Sequence, residues 1–237
     1  MLFLLADPKF VHQRLGHAVA RFISAPRLCA NPCESENWPP LQLALDKLPV
    51  FTVANLEKQP LQFQMGDDRK VSAFYADLEV AKEQVEKAQE QYPDLGCDII
   101  ATGLGSAFKL SCQGTAVIVP SIAELRAAGA PETLADAIGQ EVPMFACMGL
   151  RGEGEDEAQK VPLYMSAADC AAAVDAADNA SLEIDAILSL RSVVEECLEL
   201  SDPLSGEFCF RAPSGSLQHV ESYVGQGVYV RKLEDVE

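Results

Sequence analysis

The sequence predicts an α/β (α+β) fold made from one small unit used twice around a pseudo-twofold axis, each half a small sheet with packed helices. Three observations predict it. A proline-entered apolar strand opens each half, as Leu48-Pro49-Val50-Phe51-Thr52-Val53 and again as Val142-Pro143-Met144-Phe145-Ala146-Cys147. A second apolar stretch follows in each, residues 73–77 and 162–166, and ends on Asp77 or Ser166, side chains suited to capping a helix. Small or apolar residues then recur at the same helical spacing, Ala81, Val85 and Ala88 in one half and Cys170, Val174 and Ala177 in the other. Two copies make a pseudo-dimer rather than a solenoid, which needs about three or more repeats to build a continuous core.

The remaining elements follow in order. Asp7-Pro8 is a helix start, and Val11, Leu15, Ala18 and Phe22 recur at helical spacing behind it, with Arg14 and Arg21 on other faces, so residues 8–23 read as a basic amphipathic helix. Residues 24–40, with Pro26, Pro32, Pro39 and Pro40, read as an irregular linker carrying the single Trp38. After the first strand and residues 73–77, a helix runs from Leu78 to about Tyr92 and stops at Pro93. Third strands are expected at 99–104 and 184–190. Fourth strands, Val117-Ile118-Val119 and Phe208-Cys209-Phe210, each lead to Pro-Ser. Ser121 and Glu124 have the spacing of a capping box, with Gly129 placed to end that helix. A further short helix is expected between Pro131 and Gly139, and Ser192 with Glu195 repeats the capping logic ahead of Cys197. Residues 151–157 read as an exposed acidic loop, and Val228-Tyr229-Val230-Arg231 as an added edge strand. The expected domains are residues 1–45 (helix and linker), 46–140 (first repeat) and 141–237 (second repeat with its added strand).

Composition narrows the function. A net charge of −18 over 237 residues opposes nucleic-acid binding, which requires clustered Lys and Arg. The charge is uneven. Lys9, Arg14, Arg21 and Arg27 against the single Asp7 leave residues 1–30 with a basic balance on an otherwise acidic chain. No run approaches the roughly 18 apolar residues of a membrane span, and Met1-Leu2-Phe3-Leu4-Leu5-Ala6 is too short for a signal-peptide core. Of eight cysteines, Cys97, Cys112, Cys147, Cys170, Cys197 and Cys209 lie in apolar strand or helix patterns and read as small core residues. Cys29 and Cys33 sit in a proline-flanked loop, candidates for a local disulfide; a metal there lacks a second cysteine pair or a nearby histidine.

Catalytic chemistry finds no support. Gly103-Leu104-Gly105-Ser106 lacks the third glycine, the acidic partner and a clear following helix of a nucleotide loop, so it reads as a strand-end turn. The histidines are His12, His17 and His219, and the first two do not share a helix face. No catalytic residue, cofactor or metal site is assigned, and the chain reads as a non-enzyme. The candidate partner-docking residues are Val11, Arg14, Leu15, Arg21 and Phe22.

In their order and duplication these motifs resemble one family, the Tic 22-kDa-subunit-like proteins, the soluble intermembrane-space component of the chloroplast inner-envelope import translocon together with its cyanobacterial relatives. The likeness rests on Leu48-Pro49-Val50-Phe51-Thr52-Val53, Phe74-Tyr75-Ala76-Asp77, Val117-Ile118-Val119-Pro120-Ser121, Val142-Pro143-Met144-Phe145, and Val161-Pro162-Leu163-Tyr164-Met165-Ser166-Ala167-Ala168-Asp169, across roughly residues 45–224. It implies a pseudo-twofold α/β fold without a catalytic centre or cofactor. It also implies chaperone-like binding of preproteins or of a translocon in plastid protein import, in the intermembrane space or peripheral to a plastid membrane. The alternative is a structural peripheral subunit of a large plastid membrane complex, photosynthetic and thylakoid-associated. In either case the partners are other proteins. Acidic charge on the body favours basic clients.

Overall fold

The computed structural model describes residues 31–65, 69–152, 157, 159–177 and 179–225. The expected basic helix with Val11, Arg14, Leu15, Arg21 and Phe22, together with His12, His17, Cys29 and the strand at 228–231, lies outside the described residues.

The first half runs α1 (Trp38–Leu45), β1 (Pro49–Ala54), β2 (Gln62–Met65), β3 (Arg69–Tyr75), α2 (Leu78–Gln91), β4 (Asp98–Gly103), α3 (Leu104–Cys112), β5 (Ala116–Val119) and α4 (Ile122–Ala127). The second runs β6 (Pro143–Ala146), β7 (Val161–Tyr164), α5 (Ala167–Ala176), β8 (Ala186–Ser189), α6 (Leu190–Glu199), β9 (Phe208–Arg211) and α7 (Ser214–Gly225). The strand orders β4-β1-β3-β5 and β8-β6-β7-β9 coincide, and in each half the last pair alone is parallel.

The duplication holds at single-residue register. Phe51 faces Tyr75 across β1 and β3, and Phe145 faces Tyr164 across β6 and β7. Pro49 faces Gly103, and Pro143 faces Ser189. The same backbone bond closes each strand-to-helix junction, Leu104 N–H to Leu48 C=O and Leu190 N–H to Val142 C=O, both 2.9 Å. Val50–Phe51 and Met144–Phe145 therefore occupy equivalent positions, as the repeated motifs require.

Strand alternation divides the side chains between two faces. On one face Val50 and Phe74 from the first sheet and Met144, Ala146, Val161 and Leu163 from the second join α1, α3 and α6 in a single core. Each large apolar side chain buried there contributes roughly 1.5–3 kcal/mol. On the opposite face of the first sheet, Phe51 packs with Leu78 and Ala81 of α2 and with Val220 of α7. A helix of the second half thus covers the sheet of the first.

Caps fix the helix starts. Asp77 Oδ1 accepts from Glu79 N–H at 2.8 Å at the head of α2, and Ser166 Oγ accepts from Asp169 N–H at 3.2 Å at the head of α5, as expected. Several other expectations need correction. The expected linker of residues 24–40 ends in a helix, Trp38–Leu45, because Trp38, Leu41 and Leu45 bury on one side of α1 and Pro39 and Pro40 sit in the first turn, where a missing N–H costs nothing. The third strand stops at Gly103, and α3 begins directly after it. Between Pro131 and Gly139 the chain makes turns instead of a helix, with the Asp136 carboxylate accepting from Ile138 N–H at 2.9 Å and competing with helical bonding. The cap of α6 is Ser189, whose Oγ accepts from Ser192 N–H at 3.1 Å; Ser192 is already inside the first turn. Ser121 caps α4 as expected, but the Glu124 carboxylate leaves that box and accepts from Ala167 N–H of α5 at 2.8 Å, linking the halves. The end of the acidic loop is anchored too, since Glu157 pairs with Arg211 on β9.

Candidate polypeptide-binding groove

β1 and β3 meet at Phe51 and Tyr75, and then β1 diverges. β2 takes its place beside β3, from Gln62 opposite Ser72 to Met65 opposite Arg69. The chain turns back between them through residues 55–59, where Asn55 Oδ1 accepts from Gln59 N–H at 2.9 Å and Lys58 takes a left-handed φ of 62°. The strand splay under α2 leaves a groove of about 480 Å³. Its apolar lining includes Val53, Leu61, Phe63, Ala73, Tyr75 and Ala88, and its polar lining includes Gln62, Gln64, Gln84, Lys87 and Gln91.

An exposed apolar patch continues one end. Tyr92 lines the groove and is 55% exposed, and Leu95, in the short turn that follows α2, is 41% exposed. Leu56, on the β1–β2 turn, is 76% exposed and overlies Gly96, where an added Cβ would stand 2.7 Å from Leu56 Cγ. Gly96 also has a left-handed φ of 56°, a conformation glycine adopts without strain, so the turn presenting this patch favours glycine there.

The chemistry of the lining is that of contact. Primary amides offer both donors and acceptors without charge, which suits the backbone of an extended segment whatever its side chains. Burial pushes the Tyr75 phenol above its ordinary range, so it stays protonated and able to donate. Among the described residues Lys87 is the one basic side chain in the lining, and no carboxylate joins it.

The residues singled out in the sequence fare differently. Gly103 and Gly105 serve close packing: a Cβ on Gly103 would lie 2.6 Å from Asp46 Cα, and one on Gly105 would lie 2.5 Å from the Gln42 carbonyl oxygen. The Asp46 carboxylate accepts from Ser106 N–H at 2.7 Å and from Ser106 Oγ at 3.1 Å, filling the helix N-terminus that a phosphate would otherwise occupy. His219 packs edge-on to Phe51 with ring centroids 5.7 Å apart, and burial followed by Lys82 pushes its imidazole pKa below the ordinary value. Cys97, Cys147, Cys170, Cys197 and Cys209 are buried free thiols, as expected of core residues. Cys112 departs from that expectation, being half-buried beside Cys33. Among the described residues no group of three or more His, Cys, Asp or Glu could hold a metal ion, and no helix is long and apolar enough to cross a membrane. Sequence reasoning missed the groove because it depends on β2, a four-residue strand whose alternating Gln-Phe-Gln-Met is its only signal.

No protein-family model and no curated protein matches the sequence. Four solved chains match the fold, among them the following two. The chain is similar to Tic22 from Plasmodium falciparum with a TM-score of 0.58 and 15% identity, over 80% of this chain and 99% of that one. It is similar to Anabaena Tic22, described as a protein of protein transport, with a TM-score of 0.59 and 15% identity, over 78% of this chain and 96% of that one. The chain has the Tic22 fold.

Proposed function

We propose that this chain is a non-catalytic, Tic22-like polypeptide-binding protein whose groove beneath α2 holds an extended, net-basic segment of a client protein during plastid protein import. The carrying observation is the groove itself: an apolar floor, an amide-rich rim and a continuing patch of Leu56, Tyr92 and Leu95. The Tic22 fold supports the reading, as does the transport role attached to the Anabaena protein. A chain of net charge −18 attracts basic segments and repels acidic ones, so charge supplies association rate and selectivity while the apolar floor supplies affinity. The setting is the envelope intermembrane space or the periphery of a plastid membrane. The basic segment at residues 8–23, with Val11, Arg14, Leu15, Arg21 and Phe22, is the proposed docking arm toward a translocon.

Fluorescence titration with an extended, lysine-rich amphipathic peptide tests this reading. Binding is expected to weaken at higher salt as charges are screened. The charge-neutral double variant L56S/Y92S should weaken it at least about fivefold, the effect of losing roughly 1 kcal/mol of apolar contact, with Tm unchanged because both side chains are exposed. Wild-type affinity in that variant overturns the groove. Stoichiometric recovery of the chain with one membrane complex, and no peptide binding, favours the structural-subunit reading.

A further inference from the structure

The segment before α1 brings Cys33 against the C-terminal end of α3. Cys33 lies in a short 3-10 turn, Pro32–Glu34, started by Asn31, whose Oδ1 accepts from Cys33 N–H at 3.1 Å. Asn37 holds the next part of the segment, its Nδ2 donating to Leu200 C=O at 2.7 Å at the end of α6. At the far end of α1, Asp46 caps α3. With the segment fastened at both points, the turn that carries Cys33 packs against α3, whose last residue is Cys112, and each thiol perturbs the other. Both residues are half-buried, in contrast to the buried Cys97, Cys147, Cys170, Cys197 and Cys209.

The surroundings divide the two thiols into a nucleophile and a partner. Interaction with Cys33 lowers the Cys112 pKa below its ordinary value, against desolvation, and Arg191 lowers it further; Glu195 and Glu141 oppose. Interaction with Cys112 and burial raise Cys33, against Lys109 and Arg191. Arg191 is held in place over the Phe108 ring at 5.9 Å and beside Glu141 at 3.5 Å.

We propose that Cys33 and Cys112 form a dithiol site that reacts with small-molecule disulfides and closes reversibly into an intramolecular disulfide. The Cys112 thiolate attacks one sulfur of a disulfide RSSR, forming a mixed disulfide and expelling RS⁻. Cys33 gives up its proton to solvent, and its sulfur attacks the Cys112 sulfur, expelling the second RS⁻. The thiol pair loses two electrons and two protons, and RSSR becomes two RSH. The bond joins positions roughly 80 residues apart, so it fastens the α1 segment covalently to α3.

The test equilibrates the full-length protein in glutathione buffers of graded ratio, traps free thiols by alkylation and maps peptides by mass spectrometry. The expected result is a Cys33–Cys112 linked peptide that appears as the buffer becomes oxidising and disappears on reversal. The C33S variant should instead carry glutathione on Cys112, and C112S should leave Cys33 a free thiol. Cys112 should also alkylate at least about tenfold faster than Cys97, in keeping with thiolate character and access. Full alkylation of both cysteines across the whole series overturns the proposal. So does recovery of Cys33 linked to Cys29.

Discussion

The two halves share strand order, register and junction hydrogen bonds, yet they start the helix after their third strand by different means. In the second half the cap is local: Ser189 at the end of β8 accepts from Ser192 N–H of α6. In the first half the equivalent position is Gly103, which has no side chain, and Asp46 at the end of α1 supplies the carboxylate. The absence of a side chain is what admits Asp46, because a Cβ on Gly103 would stand 2.6 Å from the Asp46 Cα. Asn37, just before α1, reaches the carbonyls that end α6. α1 therefore closes one helix in each half, and a duplicated unit becomes a single body through a segment outside the repeat.

The sharpest way to break this asymmetry is to put a methyl group at the contact. G103A and G105A each place Cβ against backbone of α1, at 2.6 Å from Asp46 Cα and 2.5 Å from the Gln42 carbonyl oxygen respectively. Each should cost on the order of 3 kcal/mol, because backbone cannot move aside as a flexible side chain would. G215A, in the first turn of α7, meets nothing within 4 Å and should gain about 0.5 kcal/mol through a less flexible unfolded chain. Urea denaturation of the three variants measures the difference. Equal small effects at all three sites would mean α1 does not pack against α3 as described.

This asymmetry also marks what could be read from the sequence. The shared features were legible because each has a local cause: Pro49 and Pro143 enter the first strands, Asp77 and Ser166 cap helices, and Pro-Ser follows both fourth strands. The distinctive features depend on partners far away in the chain. The Gly103-Leu104-Gly105-Ser106 stretch gives no sign of Asp46, and a helix opening on Trp38-Pro39-Pro40 looks like linker until its apolar side finds the shared core. The Glu124 carboxylate fits a capping box at Ser121 just as well as its actual bond to Ala167, sequence spacing being the same for both. α7 was missed although Pro213-Ser214 repeats Pro120-Ser121, the signal that announced α4. For the thiol pair, the proline-flanked loop drew attention to Cys33, and nothing local in the sequence points to Cys112.

A second comparison concerns the inner faces of the sheets. Register places Thr52 where the other half has Ala146, and Thr102 where it has Leu188. The hydroxyls of Thr52 and Thr102 are buried and have no hydrogen-bond partner among the described residues. A desolvated hydroxyl that makes no bond is unfavourable, and valine has nearly the same shape and suits a strand. T52V and T102V should each raise stability, by about 1 kcal/mol, bringing the first half closer to the second. A loss of stability in either would show that its hydroxyl has a bonding partner, such as an ordered water.

The smallest expected effects come from two glutamates whose environments push them in opposite directions. Burial raises the Glu124 pKa, against its bonds from Ala167 N–H and the Ser166 side chain, with Asp77 and Asp169 adding to the rise. The Arg211 hydrogen bond lowers Glu157. For Glu124 the folded pKa exceeds the unfolded one, so its contribution to stability is present below the unfolded pKa and lost as pH rises through the folded value. For Glu157 the order reverses: its contribution is present above the unfolded pKa and lost as pH falls through the depressed folded value. The Glu157–Arg211 pair is about one-third exposed, which limits it to roughly 0.5 kcal/mol at neutral pH. Urea midpoints across the acid range for E124Q and E157Q should therefore diverge in sign relative to the native chain. The E124Q deficit, if any, should be largest at low pH, where protonated Glu124 already lacks its charge penalty, and give way to a small gain at neutral pH, where glutamine removes the penalty but keeps a carbonyl for Ala167. E157Q should show its loss at neutral pH and none once the native glutamate is protonated. If both variants follow the same pH trend, the carboxylate joining the halves is solvated as freely as an ordinary surface group, and its link to α5 has little energetic weight.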